Sequence, residues 1–448
     1  MRTAVIGGGN AGLCAAIASL ENGHETFLFE SAPKESRGGN TKYTRDIRYA
    51  HDSDGYASGI YSEEELFSDL EQVSGTLYDP SMARMVIEKS RDIPWWMESH
   101  GIVFKREIKG SLNLSRTNIF FLGGGKKLVD TYHRSIERLG GHVLYNSAVS
   151  GFTIKNSRIF NMSVDVSGRL ETMEFDRYII CSGGFEANRD WLRTYWGDAA
   201  GRIVVRGTRY NTGAPLKSLL ENGALPVGSE KGGHMVAVDG RSPEYDGGIV
   251  TRIDAIPWSI VVNGGGKRFY DEGEDIWPKR YAIWGRLVSE QDGQVAFVIT
   301  DRKTVGRYMP TAFPPIQANS LQDLAKLINV EDEEFMRTVS EFNRNIVETG
   351  DADAFNYRTQ NIVPPKSHWA LKIDTPPFMA YPVVPGLTFT YRGIKVDRDS
   401  KIITQDGPLE NGFAAGEIAS GNVLVSGYLA GFGLTIGTVL GRIAGYYD

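Results

Sequence analysis

Three glycines spaced as Gly7-x-Gly9-x-x-Gly12, followed by an acid at Glu30, have the types and spacing to hold a dinucleotide. Gly7 allows a tight turn, Gly9 lets the backbone approach a pyrophosphate, and Gly12 lets a helix pack closely on a strand. Asn10 and Ala11 fall at the expected helix N-terminus, where free N–H groups and the positive dipole end favour phosphate. Glu30, with Ser31 beside it, would accept hydrogen bonds from ribose hydroxyls. The same residues could form a turn without a ligand, but the acid at the right distance argues against that.

Two more glycine elements recur far downstream. FDRYIICSGGF (175–185) reads as a strand running into Ser182, Gly183 and Gly184, and NGFAAGEIASGN (411–422) as another ending in Gly416 and Glu417. A helix starting after Gly427 would bring Leu434 and Thr435 near the ligand. Glycine elements at the start, middle and end of a chain fit FAD better than NAD, because an NAD-binding unit could close within the first half. The loop Ser36–Asp46 supplies Gly38, Gly39, Asn40 and Thr41 to the same site.

The elements that must position these residues follow from periodicity. Thr3 to Ile6 and Thr26 to Phe29 read as strands, with the helical pattern Leu13 to Leu20 between them. Helices are expected over 62–74, 81–100 (with Trp95 and Trp96 in the core) and from Gly123, and a meander of short strands over 149–180. From about Gly232 to Pro377 the βαβ rhythm is lost, although a helical pair stands out at 321–327 and 331–349. The expected fold is α/β: a Rossmann-like FAD-binding domain (1–231 and 378–448) with an inserted α+β substrate-capping domain (232–377). The 448 residues can bury a large core, and the formal charge of −6 with no basic run argues against a nucleic-acid partner. No apolar run is long enough for a membrane span, and a strand beginning at Arg2 leaves no room for a leader peptide, so a cytoplasmic location is expected. Cys14 and Cys181 are the two cysteines and read as small core residues; neither a metal site nor an iron–sulfur cluster is expected.

The segments GGGNAG, RGGNTKYT, CSGGF, VVNGGGKRFYDE and FAAGEIASGN…GRIAG together resemble the fumarate reductase/succinate dehydrogenase flavoprotein family. Within it, RGGNTKYTRDIR, LNLSRTNIFFLGGGKKLV, RFYDEGEDIWPKRYAIWGRLV, PPKSHWALKIDTPPFMAYP and SGYLAGFGLTIGTVLGRIAG are most similar to the tricarballylate dehydrogenase branch. The resemblance implies FAD, a mobile cap, hydride transfer between flavin N5 and a carbon–carbon bond next to carboxylates, and oxidation of tricarballylate to cis-aconitate. It also implies a separate electron carrier, with association to a membrane through that partner. Two positions depart from the family. Gly38-Gly39-Asn40-Thr41 contains no histidine to tether the flavin, so FAD should be noncovalent. Tyr428 stands where the fumarate enzymes carry an arginine, and a phenol cannot grip a carboxylate bidentately.

By the same resemblance, His234 would hydrogen-bond a substrate carboxylate, and Arg280 would move a proton opposite the flavin, relayed by Glu272, Glu274 or Asp275. Lys279 and Tyr281 are alternatives to Arg280. Tyr391 and Arg392 fall where the fumarate enzymes place a histidine pair, and a substrate contact is expected there. Arg116 and Arg209 could face carboxylates or simply be solvated, whereas Arg268, His368 and His133 read as structural. Other classes stay open: a same-fold enzyme acting on a less charged alkene such as an enone, a flavin monooxygenase related to precorrin oxidation, and a non-catalytic flavin-binding protein.

Overall fold

The computed structural model describes residues 1–74, 79–105, 114–274 and 281–448. It is a mixed α/β protein built on two principal sheets. In the first, β1 (Arg2–Ile6) is flanked in parallel by β2 (Glu25–Phe29) and by the strand Arg177–Ile180. Gly407–Ala414 extends the sheet beyond Arg177–Ile180, and His142–Leu144 extends it beyond β2, both in parallel. Lys401–Thr404 closes the edge in antiparallel fashion. The three expected glycine elements therefore follow three adjacent strands. Their turns open along one edge of the sheet, the usual ligand position in such folds.

The helix α1 (Asn10–Glu21) joins β1 to β2 and is buried on all sides from Asn10 to Ser19. It is rich in alanine, which favours helix and leaves little side chain to displace. The C-terminal helix Phe432–Tyr446 lies against it, presenting Gly437, Gly441 and Gly445 at four-residue spacing. A Cβ on Gly441 would lie 2.5 Å from the Ala11 carbonyl oxygen, and one on Gly445 2.5 Å from Ala18 Cβ. This glycine ridge against an alanine ridge lets the two backbones approach closely, as i±4 packing of small residues does. It locks the end of the chain onto its beginning.

The second sheet is organised by the long strand Phe378–Thr390, which pairs with Val204–Val205, Gly233–Asp239, Ala296–Asp301 and Ile316–Ala318. Ile260–Asn263 pairs with Ala296–Asp301 at the edge. The helical pair Leu321–Ile328 and Asp332–Arg344 packs on one face through Leu324, Phe335, Val339 and Phe342. Ser147–Lys155, Arg158–Val166 and Arg169–Met173 form the expected meander.

Three local expectations need correction. The single helix expected over 81–100 is two helices, Pro80–Lys89 and Ile93–Ser99. Pro94 lacks an N–H and sits where the second helix starts. Trp96 is buried but Trp95 is 66% exposed, because adjacent helical residues point in different directions. The C-terminal helix begins after Gly431, in the left-handed region at φ +79°, rather than directly after Gly427. No helix among the described residues is long and apolar enough to cross a membrane.

Candidate active site

The glycine elements converge on a cleft of about 350 Å³. At its base, Gly7 adopts φ +105°, and a Cβ there would lie 2.3 Å from the Cys181 carbonyl oxygen. A Cβ on Gly12 would lie 1.8 Å from the Gly7 carbonyl oxygen, so the turn and the helix can meet only as glycines. Gly9 has only Thr41 Oγ1 near its missing side chain, at 3.6 Å, which leaves its cleft side open for a ligand. Thr41 Oγ1 accepts the Asn10 N–H at 2.8 Å, and Asn10 Nδ2 donates to the Leu434 carbonyl and to Thr438 Oγ1. The helix start is thereby fixed to the 38–44 loop and to the C-terminal helix.

Glu30 is buried, and its carboxylate accepts the N–H groups of Ala32 at 2.9 Å and Gly38 at 3.1 Å. Burial raises its pKa against those two opposing bonds. Oε2, which accepts only the Gly38 N–H, keeps a lone pair for a further donor, which is what a ribose hydroxyl needs. Ser31, Gly39, Asn40, Ser182, Gly183, Gly416, Glu417 and Leu434 also border the cleft. Ser182 Oγ is buried there without a protein partner. Open glycine backbone, a helix N-terminus, an oriented buried acid and an orphan hydroxyl fit a dinucleotide.

Asn40 Nδ2 donates to Glu186 Oε1 at 2.6 Å, and Asn211 donates to the same oxygen at 2.7 Å. Glu186 Oε2 is buried without a hydrogen-bond partner beside Glu417, whose Oε1 accepts the Thr390 N–H at 2.8 Å. Burial first, and then the mutual repulsion of the two carboxylates, raise the Glu417 pKa well above its usual value. Two buried acids in contact favour holding a proton between them.

The other end of the cleft is cationic and aromatic. His234, on the strand Gly233–Asp239, stacks on Tyr428 with ring centroids 4.0 Å apart and planes at 9°. Tyr281 meets the same imidazole edge-on at 5.4 Å. The His234 Nε2 is buried without a partner. Burial, then the charges of Arg206 and Arg252, hold its pKa well below the ordinary histidine value, so the ring is neutral. Arg252 donates from Nε to Asp254 at 2.5 Å and lies over the Tyr281 ring. Arg206, 6% exposed, borders the cleft with no guanidinium hydrogen bond or ion pair among the described residues, and its Nη1 is enclosed. Burial, then Arg252, lowers its pKa to about 10, still cationic at neutral pH. Sequence reading overlooked Arg206 and Arg252 and looked instead to Arg116 and Arg209. Arg116 pairs with Glu65 and Arg209 with Asp246, both partly exposed and off the cleft wall.

The remaining expected residues divide. His234 and Tyr428 line the cleft, whereas Tyr391 does not: it is buried behind the wall with its hydroxyl donating to the Gly427 carbonyl. Arg392 pairs with Glu230. Gly12, Gly38 and Gly184 shape the cleft from behind rather than border it. Thr435 is turned away, its hydroxyl donating to the Arg48 carbonyl. The Gly433 N–H, at the start of the C-terminal helix, donates to Tyr428 Oη at 3.1 Å. Glu272 is taken by a buried pair with Arg268 and by the Val261 N–H, which leaves it no room to relay protons. His368 and His133 pack against Phe355 and Tyr145, as structural residues do. Arg280, Lys279 and Asp275 lie outside the described residues.

Comparisons with known proteins agree with this geometry. The family described as FAD binding domain matches residues 2–434. The NADH:acrylate oxidoreductase of Vibrio harveyi is 25% identical, covering 98% of this chain and 49% of the relative, so the chain spans about half of that protein. The fumarate reductase (cytochrome) of Shewanella frigidimarina is 25% identical, covering 98% of this chain and 76% of the relative. The 3-ketosteroid Δ1-dehydrogenase from Sterolibacterium denitrificans, solved with 1,4-androstadiene-3,17-dione, superimposes with a TM-score of 0.78 at 16% identity, over 99% of this chain and 98% of that one.

Proposed function

Because the chain belongs to the FAD binding domain family, and to the fumarate reductase/succinate dehydrogenase flavoproteins within it, FAD is its cofactor, and we propose that it oxidises a carbon–carbon bond next to carboxylates. The substrate we favour is a tricarboxylic acid, with tricarballylate converted to a cis-aconitate-like product. The observation that carries this reading is a single cleft joining the dinucleotide cradle to a buried wall of Arg206, His234 and Tyr428. An unopposed buried cation is costly unless an anion joins it.

When bound, FAD supplies the acceptor for a hydride and its two electrons. The chain's own residues do the rest. Arg206 and the neutral His234 hold carboxylates, which orients the bond to be oxidised and keeps water out. The positive field of Arg206 stabilises the negative charge that develops as a proton leaves the carbon beside a carboxylate. Arg280 is the proposed proton acceptor. A guanidinium is a weak base, so the role requires a carboxylate relay, and with Glu272 engaged by Arg268 the proposed relay is Asp275 or Glu274. Tyr281 is a poor substitute, because burial holds its phenol neutral with a pKa pushed up to about 12. In this reading residues 232–377 form the cap, 1–231 with 378–448 hold FAD, and Glu30, the glycine turns and Asn40 position the nucleotide. No histidine lies within 38–41, so the flavin is noncovalent and leaves on denaturation. Electrons then pass to a separate carrier.

The test is turnover with a dye acceptor, comparing tricarballylate and succinate with an uncharged enone. Faster turnover of the tricarboxylate is expected. Preference for the enone would shift the assignment to a neutral substrate, consistent with the aromatic faces of Tyr428 and Phe389 on the same wall.

A further inference from the structure

Tyr428 occupies the position of an expected carboxylate-gripping arginine, and its hydroxyl oxygen accepts the Gly433 N–H at 3.1 Å, which leaves it one O–H donor and no bidentate fork. Its ring is fixed by the stack on His234. A strong carboxylate grip must therefore come from elsewhere in the wall. Arg252 is held by Asp254 at 2.5 Å and so carries its own counter-charge. Arg206 does not. Its backbone is fixed on both sides, with its N–H donating to the Leu387 carbonyl at 2.8 Å and its own carbonyl accepting from Gly248 at 2.9 Å. The side chain then runs into the cleft beside His234, with Arg252, Tyr281 and Tyr428 as its charged and phenolic neighbours. Nothing among the described residues engages the guanidinium, so its presence destabilises the ligand-free fold. A rigidly mounted, buried fork without an acceptor is suited to a planar anion.

We infer that Arg206, carried on the strand end Val204–Val205, is the substrate-carboxylate anchor of this protein, displaced from the 428 position and working with the unpartnered Nε2 of His234. The inference rests on the carboxylate reading above and adds the residue that selects for it. Because Arg252 already has Asp254, the wall supplies, among the described residues, one free guanidinium rather than two. A substrate carboxylate placed there pairs once, and its remaining carboxylates are recognised elsewhere.

The experiment uses the FAD-loaded enzyme and the variants Arg206→Met and Arg206→Lys. Malonate, a dicarboxylate with no adjacent carbon–carbon bond to oxidise, serves as the binding probe. For Arg206→Met, KM for tricarballylate should rise roughly 10- to 100-fold, the loss expected for one charge-assisted bidentate contact. Its flavin content and its reduction by dithionite should match the wild type. Arg206→Lys should recover part of the loss. Malonate should raise the melting temperature of the wild type and leave that of Arg206→Met unchanged. Without ligand, Arg206→Met should melt no lower than the wild type, since it removes an unpaired buried charge; a lower melting point would mean a structural arginine and overturn the inference. Wild-type turnover of tricarballylate with an unchanged KM in Arg206→Met would overturn it while leaving the function intact. Failure of the wild type to bind malonate or turn over any carboxylate would overturn the function itself, and the anchor with it.

Discussion

Replacing Glu30 by alanine separates the nucleotide cradle from the rest of the cleft. In the fold, its carboxylate accepts the Ala32 N–H at 2.9 Å and the Gly38 N–H at 3.1 Å, and the Ser31 hydroxyl approaches at 3.4 Å. Glu30→Ala strands two buried backbone donors. At about 1–3 kcal/mol for each, partly relieved by water, the apoprotein should lose about 2–4 kcal/mol. Loss of the charge-assisted bonds to a ribose removes about 1.5–3 kcal/mol more from binding alone. FAD should therefore dissociate roughly 10- to 150-fold more readily. The assay is titration of apoprotein with FAD, followed by flavin fluorescence, with urea unfolding of the apoprotein alongside. Glu30→Gln keeps the size but turns an amide N–H toward Ala32 or Gly38, so it should weaken binding too. Burial raises the Glu30 pKa. The ionised form is the better ribose acceptor, so FAD affinity should fall on acidification at a higher pH than an ordinary carboxylate would give. An FAD affinity within twofold of the wild type in both variants would remove Glu30 from the ribose site.

Gly12→Ala places a methyl 1.8 Å from a backbone carbonyl that cannot retreat, so purified protein should contain little or no flavin by its absorbance ratio; normal loading would refute the close approach. For the Glu186–Glu417 pair, both pKa values are raised, so its contribution to stability is full below the ordinary carboxyl pKa and is lost as pH rises through the raised values. Glu186→Gln, whose amide can donate to Glu417, should flatten that decline and stabilise the apoprotein by roughly 1–2 kcal/mol at pH 8; parallel urea-midpoint curves at pH 5 and 8 would contradict it. Tyr428→Phe removes the acceptor of the Gly433 N–H but keeps the ring on His234, so it should cost about 1 kcal/mol of stability and leave kcat/KM within about threefold. A hundredfold loss of activity would instead put the phenol in the chemistry.

The nucleotide half of the site is legible in sequence because its geometry is local. Gly7, Gly9 and Gly12 lie within six residues, and the closest contact of Gly12 is with Gly7 itself, although Gly7 also meets Cys181 from a strand far along the chain. Glu30 is placed by the end of β2, again within the same βαβ unit. The substrate half is different. Arg206 becomes a buried cation only because Val204–Val205 pairs with Gly386–Leu387, far along the chain, and no local pattern marks it apart from Arg209. Arg209 reads the same way in sequence yet meets Asp246 at the surface. Tyr391 and Thr435 are near the right segments, but their side chains turn away, since adjacent residues on a strand or helix face different directions. Family likeness located His234 and Tyr428 on the cleft, while their stacking on one another emerges only from the packed structure.

In the proposed reaction a carboxylate-bearing substrate meets FAD in this cleft and gives up two electrons there. The most direct measurement is the anaerobic absorption spectrum of the purified flavoprotein on addition of tricarballylate, without any acceptor. Loss of the oxidised-flavin band near about 450 nm, with no loss on adding an uncharged enone or a ketosteroid, is the predicted result. An unchanged flavin spectrum with tricarballylate, succinate and citrate-like acids alike would rule out carboxylate oxidation at this flavin.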